Sequence, residues 1–138
     1  MLDNKLKEPA GFAVRGTPID LAAIETPLLV IALKEDHVSA LSAVYRGARD
    51  LGADFLLGGS GHNAGVINPP AANKHGYWTG DERPADADEW LARASRHEGS
   101  WWPWWTKWLD SKGDGKQVAA RKIADGIEPA PGRYAMMP

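Results

Sequence analysis

The chain has 138 residues, 43% of them hydrophobic and 25% charged, with a formal net charge of −2. This length holds one domain and hardly two, and the composition is that of a globular protein rather than a fibrous or disordered one. The charge balance gives no reason to expect nucleic acid or an anionic membrane as partner, no apolar run reaches the length of a transmembrane span, and the lack of any cysteine excludes disulfides, thiolate metal sites and thiol nucleophiles from this chain.

The opening MLDNKLKEPAG carries acidic residues and no apolar centre, so it is not a signal peptide, and the default expectation is a cytoplasmic protein. The first strong signal is Pro27 followed by Leu28, Leu29, Val30, Ile31, Ala32 and Leu33. An unbroken apolar run of this length reads as an interior strand buried on both faces. Leu41, Val44, Tyr45, Ala48 and Leu51 then recur at helical spacing, with Gly52 as the stop. DFLLGG is a second short strand. Two such strands joined by a helix are expected to be parallel. Residues 67–83 hold proline, asparagine, glycine and Trp78 without a period and read as an ordered loop. Asp86 with Glu89 three residues later is a capping-box pattern, opening a helix that carries Trp90, Leu91 and Ala94 and runs until Gly99. Ser100 can cap a further helix. Trp101, Trp104, Trp105, Trp108 and Leu109 form a complete apolar stripe on it, which reads as core, while Trp102 falls off the stripe and is expected to be exposed. Residues 113–126 read as a flexible loop and the rest as an irregular proline-rich tail.

Asp36 follows the first apolar strand and His62 follows the second. Ligands of parallel α/β sheets bind beyond the carboxyl ends of the strands, so both side chains project from one edge. A carboxylate there can accept the Nδ1–H of the imidazole, fix its tautomer and leave Nε2 as a general base. Between them lies LLGGSGHNAGVINPP, whose glycines are expected to turn the backbone sharply and carry His62 back over the strand end. The blander readings are that Asp36 merely caps the following helix and that His62 is structural. His37 is a surface side chain or an alternative functional residue. His75 and His97 have no metal-ligand spacing and read as loop or surface residues. An acid followed by a histidine is the order of the last two members of a hydrolase triad. The nucleophile is missing: Ser60 is too close along the chain to His62 to stand on a strand of its own.

The strings DNKLKEP, IDLAAIETP, KEDH, GGSGHNAGVINPP, YWT, EWL, GSWWPWW and EPAPGRY, in that order, resemble the C-terminal part of class I poly(3-hydroxyalkanoate) synthases. The resemblance runs from Asp3 to about Tyr134 and is weakest over residues 113–126. It implies the last strands and helices of a parallel sheet of α/β-hydrolase fold, followed by tryptophan-rich helices and a proline-rich tail. In those terms residues 1–138 are a fragment of a catalytic domain, with the acid and histidine loops in 27–70, a tryptophan-rich helical segment in 84–112 and an irregular tail in 113–138. The family polymerises (R)-3-hydroxyacyl-CoA into polyester and releases CoA, without a cofactor. Its general base matches His62, its acid matches Asp36, and its cysteine nucleophile lies upstream of the region matched here. The resemblance further implies hydroxyacyl-CoA and a polyester chain as binding partners, a synthase dimer or a complementing N-terminal portion, and the surface of polyester granules as location. Two positions depart from the family pattern: HVSAL follows the acid where HIVPW is common, and Asn63 stands where isoleucine is usual. The alternative reading is a non-catalytic module whose tryptophans and proline-rich tail bind polyester or a synthase subunit.

Overall fold

The computed structural model describes residues 3–121 and 126–137. In chain order the elements are β1 (Phe12–Val14), β2 (Thr17–Ile19), β3 (Leu29–Leu33), α1 (Leu41–Asp50), β4 (Asp54–Gly58), β5 (Tyr77–Thr79), α2 (Ala87–Arg93), β6 (Ser95–His97) and α3 (Trp102–Lys112). β1 and β2 pair as an antiparallel hairpin, and the other strands form one sheet in the order β3-β4-β5-β6. The architecture is mixed α/β.

β3 and β4 are parallel, with Leu29 opposite Asp54 and Leu33 opposite Gly58. α1 joins them and lies on one face. Its Tyr45 and Ala48 pack on Ala32, Phe55 and Leu57, and Trp90 of α2 closes the same cluster. Tyr45 and Trp90 meet Phe55 edge-on at 5.1 and 4.8 Å between ring centroids. Burial of each such side chain stabilises the fold by about 1.5–3 kcal/mol. Alternation along the strands sends Ile31, Leu33 and Leu56 to the other face, where Trp101 lies close to Gly58 at the end of β4. Gly52 ends α1 at φ +64°, and Asp86 caps α2 by accepting from the amides of Asp88 and Glu89 at 2.8 and 3.2 Å.

Several expectations are corrected. The sheet is parallel only between β3 and β4, because β4-β5 and β5-β6 are antiparallel. Residues 67–83 contain strand β5, and the helix after Asp86 ends at Arg93 rather than near Gly99. Ser95–His97 is drawn into a ladder instead, where His97 Nε2 lies 2.9 Å from Thr79 Oγ1 and its ring stacks on Tyr77. Burial of β3 is partial: Ala32 and Leu33 are buried, whereas Leu29, Val30 and Ile31 are half-buried. β3 is the edge strand of the sheet, its outer side unpaired among the described residues, and β4 is the interior one. The tryptophan stripe is not a core stripe. Trp101 is buried, Trp104 and Trp108 are half-buried, and Trp105 and Leu109 are exposed, while Trp102 is half-buried.

Within 113–138 the described residues hold one short 3-10 turn, Tyr134–Met136, and no strand or α-helix; residues 122–125 and Pro138 lie outside the described part. No helix among the described residues is long and apolar enough to cross a membrane.

Candidate active site

The carboxyl ends of β3 and β4 carry the two loops that the sequence singles out. β3 stops at Leu33, and the amides of Lys34 and Glu35 bond to the carbonyls of Gly58 and Ser60 at 2.9 and 3.1 Å, so the loops leave side by side. Asp36 sits at the first turn. Its Oδ1 accepts from the amides of Val38 and Ser39 at 2.8 and 3.1 Å, and its Oδ2 lies 2.8 Å from His62 Nδ1. The helix itself begins later, at Leu41, with Ala40 in the cap position. Asp36 therefore does not cap that helix: one of its oxygens shapes the loop ahead of it, and the other holds the imidazole.

The Asp36 side chain is 7% exposed and that of His62 is 50% exposed. The His62 hydrogen bond, opposed by desolvation and helped by the Ser39 and Val38 amides, holds the Asp36 carboxyl at about 2, below its ordinary 3.8. Asp36 is therefore ionised at neutral pH and can only accept, so Nδ1 of His62 is the donor. Nε2 makes no hydrogen bond among the described residues and remains available as a base.

The glycine-rich stretch works differently from the sequence expectation. The sharp left-handed turn is at Ser60, φ +70°, and not at a glycine. The glycines serve close approach. A Cβ at Gly59 would stand 2.7 Å from the Gly76 carbonyl oxygen. A Cβ at Gly65 would stand 2.5 Å from Leu33 Cδ2 and 2.6 Å from the Gly59 carbonyl oxygen. The histidine loop folds flat onto the strand ends because these positions have no side chain.

His62 and Asp36 open onto a trough of about 560 Å³ whose apolar wall includes Ile31, Leu33, Val44, Val66 and Trp101, with Asn63 at its rim. Val66 and Ile67 are 46% and 70% exposed, so the wall is open to a ligand or to another polypeptide. A second, smaller hollow of about 240 Å³ lies at the opposite end of the strands, beside Asp54, Arg83 and Trp108. Of the other histidines, His37 and His75 are exposed and stand apart from the trough, and His97 is occupied with Thr79. No cluster of ligands for a metal ion occurs among the described residues. Sequence reasoning assigned Trp101 to a core stripe and Trp102 to solvent, and missed that their indole N–H groups turn to the histidine loop. The only signal was the repetition of donors in GSWWPWW immediately after a serine.

These features define a mixed α/β protein with a carboxylate–imidazole pair at the carboxyl edge of its parallel strands. Comparison with known proteins narrows the class. No family model matches the chain. The poly(3-hydroxyalkanoate) polymerase subunit PhaC of Cupriavidus necator is 45% identical over 139 residues, covering 96% of this chain and 24% of that protein. The subunit PhaC of Rhizobium etli is 41% identical over 127 residues, covering 88% of this chain and 20% of that protein. Poly(3-hydroxyalkanoate) polymerase 2 of Ectopseudomonas oleovorans is 38% identical over 139 residues, covering 96% and 25%. By sequence the chain belongs with one portion of the poly(3-hydroxyalkanoate) polymerases, and it spans about a quarter of the length of these relatives.

Proposed function

We propose that the chain is the C-terminal portion of a poly(3-hydroxyalkanoate) polymerase of α/β-hydrolase fold, with His62 as general base and Asp36 as its acid. The observation that carries this reading is the 2.8 Å contact between His62 Nδ1 and Asp36 Oδ2 at the edge of a parallel strand pair. The chain has no cysteine, so the thiol comes from a nucleophile-bearing portion seated beside the trough. His62 Nε2 takes the thiol proton, the thiolate attacks the thioester carbon of an (R)-3-hydroxyacyl-CoA, and the imidazolium returns the proton to the departing CoA thiolate. In the ester-forming step the base takes the proton of an incoming 3-hydroxyl, whose oxygen displaces the cysteine sulfur from the acyl carbon. Asp36 keeps the imidazole in the Nδ1–H form and stabilises its charged state.

The outer edge of β3 supports the requirement for a partner portion. Its backbone donors and acceptors are unpaired among the described residues, and Leu29, Val30 and Ile31 are only half-buried, which makes it a template for an added strand. The purified chain is expected to release no CoA from (R)-3-hydroxybutyryl-CoA. Co-expression with a polymerase shortened by its C-terminal quarter is expected to restore CoA release, dependent on both the cysteine of one portion and His62 of the other. Association without restored turnover would favour the binding-module reading, and turnover by the isolated chain would overturn the proposal.

A further inference from the structure

Three consecutive side chains converge on one loop. Ser100 Oγ donates to the carbonyl of Asn68. Trp101 Nε1 donates to the carbonyl of Gly65 at 2.8 Å, and Trp102 Nε1 to that of Val66 at 3.0 Å. Ser100 Oγ also accepts from the Trp102 amide at 3.1 Å, which ties the donors to each other. Ser100, Trp101 and Asn68 are 8%, 6% and 2% exposed, so water does not compete freely for the Ser100 and Trp101 bonds, whereas the Trp102 bond lies at the surface. An indole N–H can only donate, and when buried it holds whatever acceptor it meets.

The acceptors belong to the turn that carries His62. Within it the amide of Gly65 bonds back to the carbonyl of Gly61, and that of Ile67 to Asn63, each at 2.9 Å. These two bonds bracket His62, so fixing the carbonyls of Gly65 and Val66 from outside fixes the turn as a body.

The helix bearing the clamp is itself anchored far from the loop. Trp108 Nε1 donates to Asp54 Oδ2 at 2.7 Å, and Lys112 Nζ lies 3.4 Å from the same oxygen. Asp54 opens β4, and the histidine loop leaves the other end of that strand. Eleven helical residues rise about 16 Å, and five strand residues advance about 16 Å. α3 therefore reaches from one end of β4 to the other.

We infer that α3 is a strut that positions His62: Trp108 and Lys112 brace it against the start of β4, and Ser100, Trp101 and Trp102 clamp the histidine loop at the end. Trp101 and Trp102 are positioning residues. They act through the Gly65 and Val66 carbonyls and keep Nδ1 aimed at Asp36. The catalytic consequence rests on the proposed role of His62, whereas the geometric one does not.

The test separates the two. The 138-residue chain, labelled with ¹⁵N-histidine, is expected to show His62 in the Nδ1–H form at neutral pH. Trp101 and Trp102 are replaced, singly and together, by the benzothiophene isostere of tryptophan, which keeps the ring shape and lacks the donor. Each replacement is expected to shift His62 toward the Nε2–H form favoured by a free imidazole, without loss of the circular dichroism melt. The same isostere at Trp104, on the same helix but bonded to no part of the loop, is expected to leave the tautomer as it is. In the reassembled polymerase the double replacement is expected to lower kcat between about 10- and 100-fold with KM unchanged. An unchanged His62 tautomer in folded single variants would overturn the inference. A shifted tautomer in a chain that never supports turnover would keep the strut and sink the functional reading instead.

Discussion

Two aspartates sit at opposite ends of the same strand pair, and they are used in opposite ways. Asp54, at the start of β4, has a 40% exposed side chain held by Arg83 at 3.1 Å, Lys112 at 3.4 Å and the Trp108 indole. Burial works against its charge, but the Trp108 hydrogen bond and the Lys112 and Arg83 charges outweigh it and keep the carboxyl below its usual range. Asp36, past the end of β3, has a 7% exposed side chain and meets no lysine or arginine among the described residues. Its charge is met by two amides and one imidazole. A carboxylate answered by fixed cations braces the structure. One answered by a titratable ring can respond to a proton, which supports the proposed placement of the chemistry at the carboxyl edge.

The sharpest way to break this contrast is to remove the ring. His62→Gln in the reassembled polymerase is expected to lower CoA release by at least about 10³-fold, with the melting temperature of the chain little changed. Asp36→Asn is expected to lower both phases by less than His62→Gln if the carboxylate acts only through the imidazole, and to be milder on the first acylation and more severe on chain elongation if it also serves the incoming hydroxyl. Burst and steady-state CoA release would resolve the two phases, and wild-type rates for His62→Gln would sink the assignment. Second in size, Gly65→Ala places a methyl group against Leu33 and the Gly59 carbonyl. Overpacking of this kind costs about 1–3 kcal/mol, and urea denaturation is expected to register it together with disorder of the His62 tautomer. Third, Asp54→Asn removes charge while leaving an acceptor for Trp108. It is expected to cost about 1 kcal/mol of stability, with catalysis falling far less than for His62→Gln.

The smallest effect is in the pH dependence. The Asp36 carboxyl is depressed from 3.8 to about 2. Its contribution is fully present above 3.8 and is lost as pH falls toward 2. Hydrogen exchange at the Val38 and Ser39 amides is expected to speed up across that window in the wild type. In Asp36→Asn this particular transition should be missing.

The strands β3 and β4, helix α1 and the pairing of Asp36 with His62 were legible because each rests on a local pattern: an apolar run, a helical period, a polar residue just past a strand end. β5 and β6 were not. Tyr77–Thr79 and Ser95–His97 are three residues each, too short to carry a period, and exist because β4 offers an edge for the first and β5 for the second. The same holds for the tryptophans. Helical spacing places Trp101, Trp104, Trp105 and Trp108 on one face, yet only Trp101 is buried, since a period fixes which side chains share a face and not what covers that face. The glycines were read for freedom to turn and proved to be needed for closeness, while Ser60 took the strained φ.

What the sequence by itself determined is the chemistry available at the strand ends: the imidazole of His62, the carboxylate of Asp36, no thiol, and two parallel strands whose ends present them. Period and composition are local properties, and they survive without knowledge of the neighbours. Tertiary structure alone decided which oxygen of Asp36 meets which nitrogen of His62, which strand is the edge, and that a pair of indoles beyond the sheet reaches the histidine loop. Those outcomes depend on contacts between segments 26 to 54 residues apart, where hydrogen-bond geometry and excluded volume choose among arrangements that the local pattern leaves equal.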